Sequence, residues 1–296
     1  MLKKIKIIIL SMLLLGTLWL VWSLFSHRMP WQHHTTTQHQ LTILTYNTQG
    51  MAISKKYAEK MAMLKHINRM DADVICLQEV LVYKDTKKLT LSKLREAMSN
   101  YPYTYYDFKL YNGTRQFGNV VFSRYPLINK QTIHFESRSN ISSQCDIVVK
   151  KDTIRLIVNH LESFRIEKQD LSIELSDAQH LKDCSLVRKL IDSSSLRRDQ
   201  VRTVRRTIHH SPYPVIAVGD FNALPISFVY WTMNCGMRDV FAESSFGRYG
   251  STHHVSGIGI RIDYIFTSRS LYPLSARVDH SAKYSDHFPL ISTIGW

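Results

Sequence analysis

The polar residues best suited to chemistry stand at the ends of short apolar runs. Asn47 follows ILTY, Glu79 follows VICLQ, and His160 follows LIVN. Asp220 and Asn222 follow VIAVG; Asp263 lies in RIDYIF, and Asp286 and His287 lie in KYSDHFPL. Strand ends are where an α/β scaffold brings distant residues to one rim. Glu79, Asp220 and Asp286 are hard oxygen ligands. With Asn47 and Asn222 they suit Mg²⁺ or Mn²⁺, one or two ions, and not zinc. His160 and His287 can move protons or touch a phosphate. Asp263 can hold His287 in one tautomer and stabilise its charged form. A metal, an activated water and an oriented His–Asp pair make a phosphoester hydrolysis site. Each residue alone has an ordinary explanation: Asn47 and Asn222 as turn residues, Glu79 at a helix start, Asp263 paired with Arg261, His160 as a structural imidazole. Their joint occurrence changes the balance.

The hydrophobic pattern supplies the elements. Strands are expected at residues 41–46, 72–77, 103–108, 119–123, 131–135, 145–149, 153–159, 215–218, 262–267, 274–278 and 288–294, and helices at 54–70 and 89–98. Helical spacing over 168–209 predicts a long helical stretch broken near Ser193-Ser194-Ser195. Strands mixed with helices, several in hairpin-like pairs, predict an α/β domain with mixed sheets over residues 41–296.

The chain has 296 residues, 44% of them hydrophobic and 21% charged, which excludes a disordered chain, a collagen-like repeat or a coiled-coil rod. The formal charge of +14 favours polyanions: nucleic acid, anionic lipid or phosphorylated substrates. None of the four cysteines forms a C-x-x-C pair, so a zinc knuckle is not expected, and Cys76 reads as core. Residues 7–25 are nineteen uncharged, mostly apolar residues, close to the length of a membrane-spanning helix. Lys3, Lys4 and Lys6 precede them, and Trp19, Trp22 and Trp31 lie toward the far end. The positive-inside rule keeps the lysines cytoplasmic and exports the rest. A cleavable signal is the rival; Ser26-His27-Arg28-Met29-Pro30 offers no small-x-small cleavage site. The expected organisation is an anchor at 1–26, a polar linker at 27–40 and a catalytic domain at 41–296.

Seven segments in order carry a resemblance: TYNTQG (45–50), LQEV (77–80), GNVVFSRYP (118–126), VNHLES (158–163), GDFNALP (219–225), RIDYIF (261–266) and SDHFPL (285–290). This series resembles the endonuclease/exonuclease/phosphatase superfamily, the fold of pancreatic deoxyribonuclease. The resemblance implies two packed, mostly antiparallel mixed β-sheets flanked by helices, a four-layer sandwich, here preceded by one transmembrane helix. It implies Glu79 as the principal metal carboxylate, helped by Asn47, with Asp286 near that metal or on a second one. Asp220 would orient or deprotonate the attacking water, and Asn222 would hold the water or the phosphate. His287, held by Asp263, would contact the scissile phosphate; His160 would serve the phosphate or the leaving oxygen. Gly118 and Asn119 would begin a strand that brings backbone or amide to the substrate. VNHLES is similar to the branch of sphingomyelinases and the second tyrosyl-DNA phosphodiesterase, and unlike abasic-site endonucleases. The arrangement looks like that of membrane-linked bacterial members.

The expected activity is divalent-metal-dependent phosphoester hydrolysis, with a nucleic acid or a phospholipid headgroup as substrate. The other reading is a catalytically silent polyanion-binding module on the same fold. Arg198, Arg202 and Arg205 share one face of a predicted helix and read as a solvated face opposite Val201, Val204 and Ile208. In the pairs His209-His210 and His253-His254, neighbouring side chains point apart, so neither pair is expected to share a metal.

Overall fold

A computed structural model of the chain describes residues 37–52, 56–111, 113–135, 137, 139–163, 185–245, 250–255 and 257–296, with residues 16 and 17. Apart from those two residues, the predicted anchor at 7–25 lies outside the described residues, as does the first part of the stretch predicted helical at 168–209. Among the described residues no helix is long and apolar enough to cross a membrane.

In chain order the elements are β1 (Gln40–Asn47), α1 (Tyr57–Arg69), β2 (Val74–Tyr83), α2 (Leu91–Ala97), β3 (Tyr103–Tyr111), β4 (Arg115–Ser123), β5 (Leu127–Ile133), β6 (Ser142–Val149) and β7 (Asp152–His160). There follow α3 (Ser185–His209), β8 (Val215–Asp220), α4 (Phe228–Asn234), β9 (Met237–Asp239), α5 (Val240–Ser244), β10 (His253–Val255), β11 (Ile258–Ile260), β12 (Asp263–Ser268), β13 (Tyr272–Val278) and β14 (Leu290–Gly295). One six-stranded sheet has the order β13-β14-β1-β2-β4-β3, the other β5-β6-β7-β8-β12-β9. Each contains a single parallel pair, β1/β2 and β7/β8, with antiparallel pairs on either side.

The sheets pack face to face because their inward positions alternate as apolar residues. Leu41, Ile43, Cys76 and Leu290 of the first sheet meet Cys145, Leu156, Ile216 and Ile265 of the second in one buried cluster. The outer face of the first sheet is covered by α1 and α2 through Met63, Leu64, Ile67 and Leu94. The outer face of the second is covered by α3 and α4 through Val201, Val204, Val229 and Met233. These four layers match the expected sandwich.

Several expectations are corrected. The helix expected at 54–70 forms as Tyr57–Arg69. The strand expected at 72–77 runs on to Tyr83, because β4 pairs with it on both sides of an irregularity between Leu77 and Val80. The long helix is continuous through Ser193-Ser194-Ser195. Ser193 is buried there and Val201 and Val204 dock on the sheet, so packing overrides the weak helix propensity of serine. Not every arginine of that helix is solvated. Arg197 is buried and donates to the Glu162 carbonyl at 2.8 Å, whereas Arg198 and Arg202 lie over the exposed ring of Phe228. Cys76 and Cys145 are buried free thiols and Cys235 an exposed one; Cys184 lies outside the described residues.

Arg261 does not pair with Asp263. It is buried against Asp239, Nη1 to Oδ2 2.8 Å, with its guanidinium 4.8 Å from the Tyr264 ring centroid. Asp239 also accepts from the Tyr230 hydroxyl and caps α5 through the Ala242 amide. Removing one partner of such a buried pair strands the other charge, which destabilises by about 3–5 kcal/mol. Arg261→Met should therefore lower the urea unfolding free energy by roughly that amount. Arg261→Met with Asp239→Asn should recover a large part of the loss; equal losses in the single and double variants would refute the pairing.

Candidate active site

The two parallel pairs end on the same rim. Asn47 is the last residue of β1, His160 the last of β7 and Asp220 the last of β8; Asp263 opens antiparallel β12 opposite Asp220. His160 and Asp220 are register partners across β7 and β8. Gly219 permits this close pairing. Its φ is +125°, and a Cβ there would lie 2.0 Å from the Asn159 carbonyl oxygen. Two site residues adopt left-handed backbone without being glycine: Glu79 at φ 54° and Asn222 at φ 47°. Glu79 occupies the irregularity of β2, where the strand bulges and re-aims its side chain.

The side chains converge. The Asn47 amide donates to Glu79 Oε1 at 3.1 Å and to Asp220 Oδ2 at 2.9 Å, joining residues 173 positions apart. His160 Nε2 lies 3.2 Å from Glu79 Oε1. His287 Nδ1 lies 2.8 Å from Asp263 Oδ2, and its Nε2 lies 3.7 Å from Asp220 Oδ2. Asn222 returns its backbone N–H to Asp220 Oδ1 at 2.8 Å and its amide to the Leu161 carbonyl at 3.0 Å. Asp286 sits at the exposed edge, where Gln49 donates to its Oδ2 at 2.8 Å. Asn119 is placed differently. Its amide reaches the Ile141 carbonyl just before β6, Ser143 of β6 and the Val158 carbonyl of β7, bridging the two sheets in the interior.

The charges follow from this packing. Burial opposes ionisation of Glu79, but the His160 hydrogen bond and charge, with Asn47, hold its carboxyl below the usual range. Burial likewise opposes protonation of His160, and Glu79 outweighs it, so the imidazole is held up. Asp220 is pushed up by burial, only partly offset by His287. Burial also opposes the His287 cation, yet Asp263 and then Asp220 raise it to about 10. The rim thus presents an ionised carboxylate, a proton-accepting carboxylate and a cationic imidazole within one small volume.

The residues fit a divalent cation. Glu79 and Asp220 bring carboxylate oxygens to the two sides of the Asn47 amide, whose own Oδ1 accepts the Gln49 N–H at 2.9 Å. Asp263 Oδ1 is buried with no hydrogen-bond partner among the described residues, a surplus of negative lone pairs that a cation offsets.

Residues that sequence reasoning passed over support this set. Ser285 Oγ donates to the Asn47 carbonyl at 2.9 Å and accepts the His287 N–H. Thr252 Oγ1 accepts the Asp263 N–H. Gln49 and Ser285 lie in the segments TYNTQG and SDHFPL, so their neighbourhood was visible, though not their role. His253 and His254 do point apart: His254 packs on Phe288, but His253 packs edge-on against His287 at 4.4 Å between centroids. His253 Nδ1 is buried and has no hydrogen-bond partner among the described residues. Its place rests on the backbone bridge between His253 and His287, which no local pattern announces.

The sequence profile of the Endonuclease/Exonuclease/phosphatase family matches residues 44–287, and the chain belongs to that family. The family in general comprises metal-dependent hydrolases of phosphoesters. Among solved structures, an endonuclease/exonuclease/phosphatase from Beutenbergia cavernae aligns with TM-score 0.66 at 16% identity, covering 87% of this chain and 72% of that one. A family protein from Leptotrichia buccalis aligns with TM-score 0.62 at 18% identity, covering 86% of this chain and 100% of that one. D. rerio TDP2, solved in complex with a single-strand DNA product, aligns with TM-score 0.62 at 16% identity, covering 87% and 99%. These likenesses establish the fold. No curated protein matches the chain.

The raised His287 gives a pH signature in metal-free protein. An unfolded imidazole titrates near about 6.5. Protonated His287 therefore stabilises the fold fully below about pH 6.5, and this contribution drains away as pH rises through about 10. In EDTA, the stability advantage of wild type over His287→Gln should shrink steadily across that window. An advantage that grows with pH would reverse the assignment of charge.

Proposed function

We propose that the chain is a divalent-metal-dependent phosphodiesterase, tethered by residues 7–25 and acting on the extracytoplasmic side. The observation that carries the catalytic reading is the contact chain His160–Glu79–Asn47–Asp220–His287–Asp263, every link under 4 Å. A bound Mg²⁺ or Mn²⁺ would supply a Lewis acid for the phosphoryl oxygens. Glu79 and Asn47 would hold it, with Asp286 at the rim.

The chain's own groups divide the remaining work. Phosphodiester hydrolysis builds negative charge on the nonbridging and leaving oxygens. Cationic His287 offsets that charge where it develops, and Asp263 keeps its ring oriented. Asp220, pushed up by burial, takes a proton from the attacking water, and Asn222 holds water or phosphate beside it. His160, protonated through Glu79, sits where the leaving oxygen needs a proton. Asn119, whose amide bridges the sheets, supports the strand opposite Glu79.

The substrate is a phosphodiester of a nucleic acid or of a phospholipid headgroup. The basic chain suits both polyanions, and the DNA product bound to the fold neighbour from D. rerio supports the first. The tethering reading rests on the charge-free run behind three lysines. β1 enters its sheet at Gln40 and reaches the catalytic rim at Asn47, so the linker joins the domain about 23 Å from the site.

Full-length protein should hydrolyse bis(p-nitrophenyl) phosphate with Mg²⁺ or Mn²⁺ and lose that activity in EDTA. Glu79→Gln and His287→Ala should each lower kcat by about 10²–10³-fold with the fold intact by circular dichroism. Near-wild-type rates in both variants would overturn the site. Polyanion binding without turnover would favour the silent module instead. For topology, a reporter enzyme fused after Trp296 should be active only outside the cytoplasm, and cytoplasmic activity would reverse the orientation.

A further inference from the structure

We propose that His253, Asp286 and His287 form a second cation site, beside the one at Glu79 and sharing its rim carboxylate Asp286, that takes a borderline transition ion such as Zn²⁺ or Co²⁺ and is inhibitory when filled. The ligand atoms of these three residues lie within 4.8 Å of one another. The donor set is two imidazoles and one carboxylate. That set suits zinc or cobalt, whereas the oxygen-rich surroundings of Glu79 suit magnesium.

The distances leave a place for a shared ion. His253 Nε2 and Asp286 Oδ2 are 3.5 Å apart, beyond the usual range of an N–H···O bond. Two ligands each about 2.0–2.1 Å from a tetrahedral ion lie about 3.4 Å apart, close to that spacing. The shell around His287 and Asp286 is also that of a metal site. Ligating imidazoles commonly donate their other nitrogen to a carboxylate, as His287 Nδ1 does to Asp263 at 2.8 Å. Ligating carboxylates are themselves held, as Gln49 holds Asp286. The three residues come together because β10 bridges to the backbone at His287, with the His254 N–H on the Asp286 carbonyl and the Phe288 N–H on the Thr252 carbonyl.

An ion there engages His287 Nε2, the nitrogen left free by Asp263. Inhibition follows if that nitrogen is the one that meets the scissile phosphate, so this half of the inference rests on the function proposed above; the binding half does not. Binding releases the Nε2 proton of His287 to solvent and puts the ion on the freed lone pair; no bond of the substrate is made or broken.

The test uses full-length protein in detergent with saturating Mg²⁺, titrated with Co²⁺. The expected result is the intense visible absorption of a four- or five-coordinate cobalt centre, displaced by Zn²⁺. His253→Gln should abolish this spectrum, retain Mg²⁺-supported hydrolysis and raise the Zn²⁺ concentration for half-inhibition by about 10–100-fold. His254→Gln, whose ring faces Phe288, should keep both the spectrum and the zinc sensitivity. Paramagnetic shifts of the His253 and His287 ring protons in unmutated protein provide a reading that needs no substitution. Only weak octahedral absorption in wild type, an intense spectrum that survives His253→Gln, or unshifted His253 and His287 rings would each overturn the site. A chain inactive toward phosphodiesters but showing the His253-dependent spectrum would refute the proposed function and leave the site standing.

Discussion

Two carboxylates leaning on one amide set the terms for the rest of the molecule. Asn47 holds Glu79 and Asp220 at hydrogen-bond distance, and both acids are largely removed from water. Like charges so placed repel, and a low-dielectric setting magnifies the repulsion. The fold answers with imidazoles, His160 on Glu79 and His287 between Asp220 and Asp263. The arrangement holds only while two separate sheets end at the same height. One parallel pair at the centre of each sheet, backed by an apolar interface, fixes that height.

Some of the strained backbone lies at the candidate site. Glu79 and Asn222 sit in left-handed backbone that residues with a Cβ avoid, and Gly219 passes a neighbouring carbonyl where no Cβ fits. Such conformations persist when surrounding packing over-determines them. Here that packing is the inter-sheet core, together with α3, whose Arg197 and Gln200 clamp the backbone of Glu162 just beyond His160. The same helix carries Arg198 and Arg202 outward over Phe228, so one element both braces the rim and contributes to the basic surface.

Much of this was legible in the sequence, because apolar runs ending in polar residues announce strand ends. Asn47, Glu79, His160, Asp220, Asn222, Asp263 and His287 all come together, and the two-sheet sandwich is what the family resemblance of the ordered segments implies. What escaped reading depends on tertiary packing. The length of β2 depends on pairing with β4 across a bulge, and the continuity of α3 through three serines depends on docking against the sheet. That the Asn119 amide bridges to the second sheet, because alternation on β4 aims it there, is a tertiary feature that no local pattern announces. His253 was correctly read as diverging from His254. That it meets His287 depends on a bridge between segments more than thirty residues apart.

The central claim is that residues from both sheets surround one cation. Crystals soaked in Mn²⁺ test it directly through the anomalous signal of the metal. The account predicts a peak within bonding distance of a Glu79 carboxylate oxygen, with Asn47 beside it and Asp220 and His287 facing the same ion. A strong peak elsewhere with this position empty, or a structure in which Glu79, Asp220 and His287 stand far apart, would contradict it.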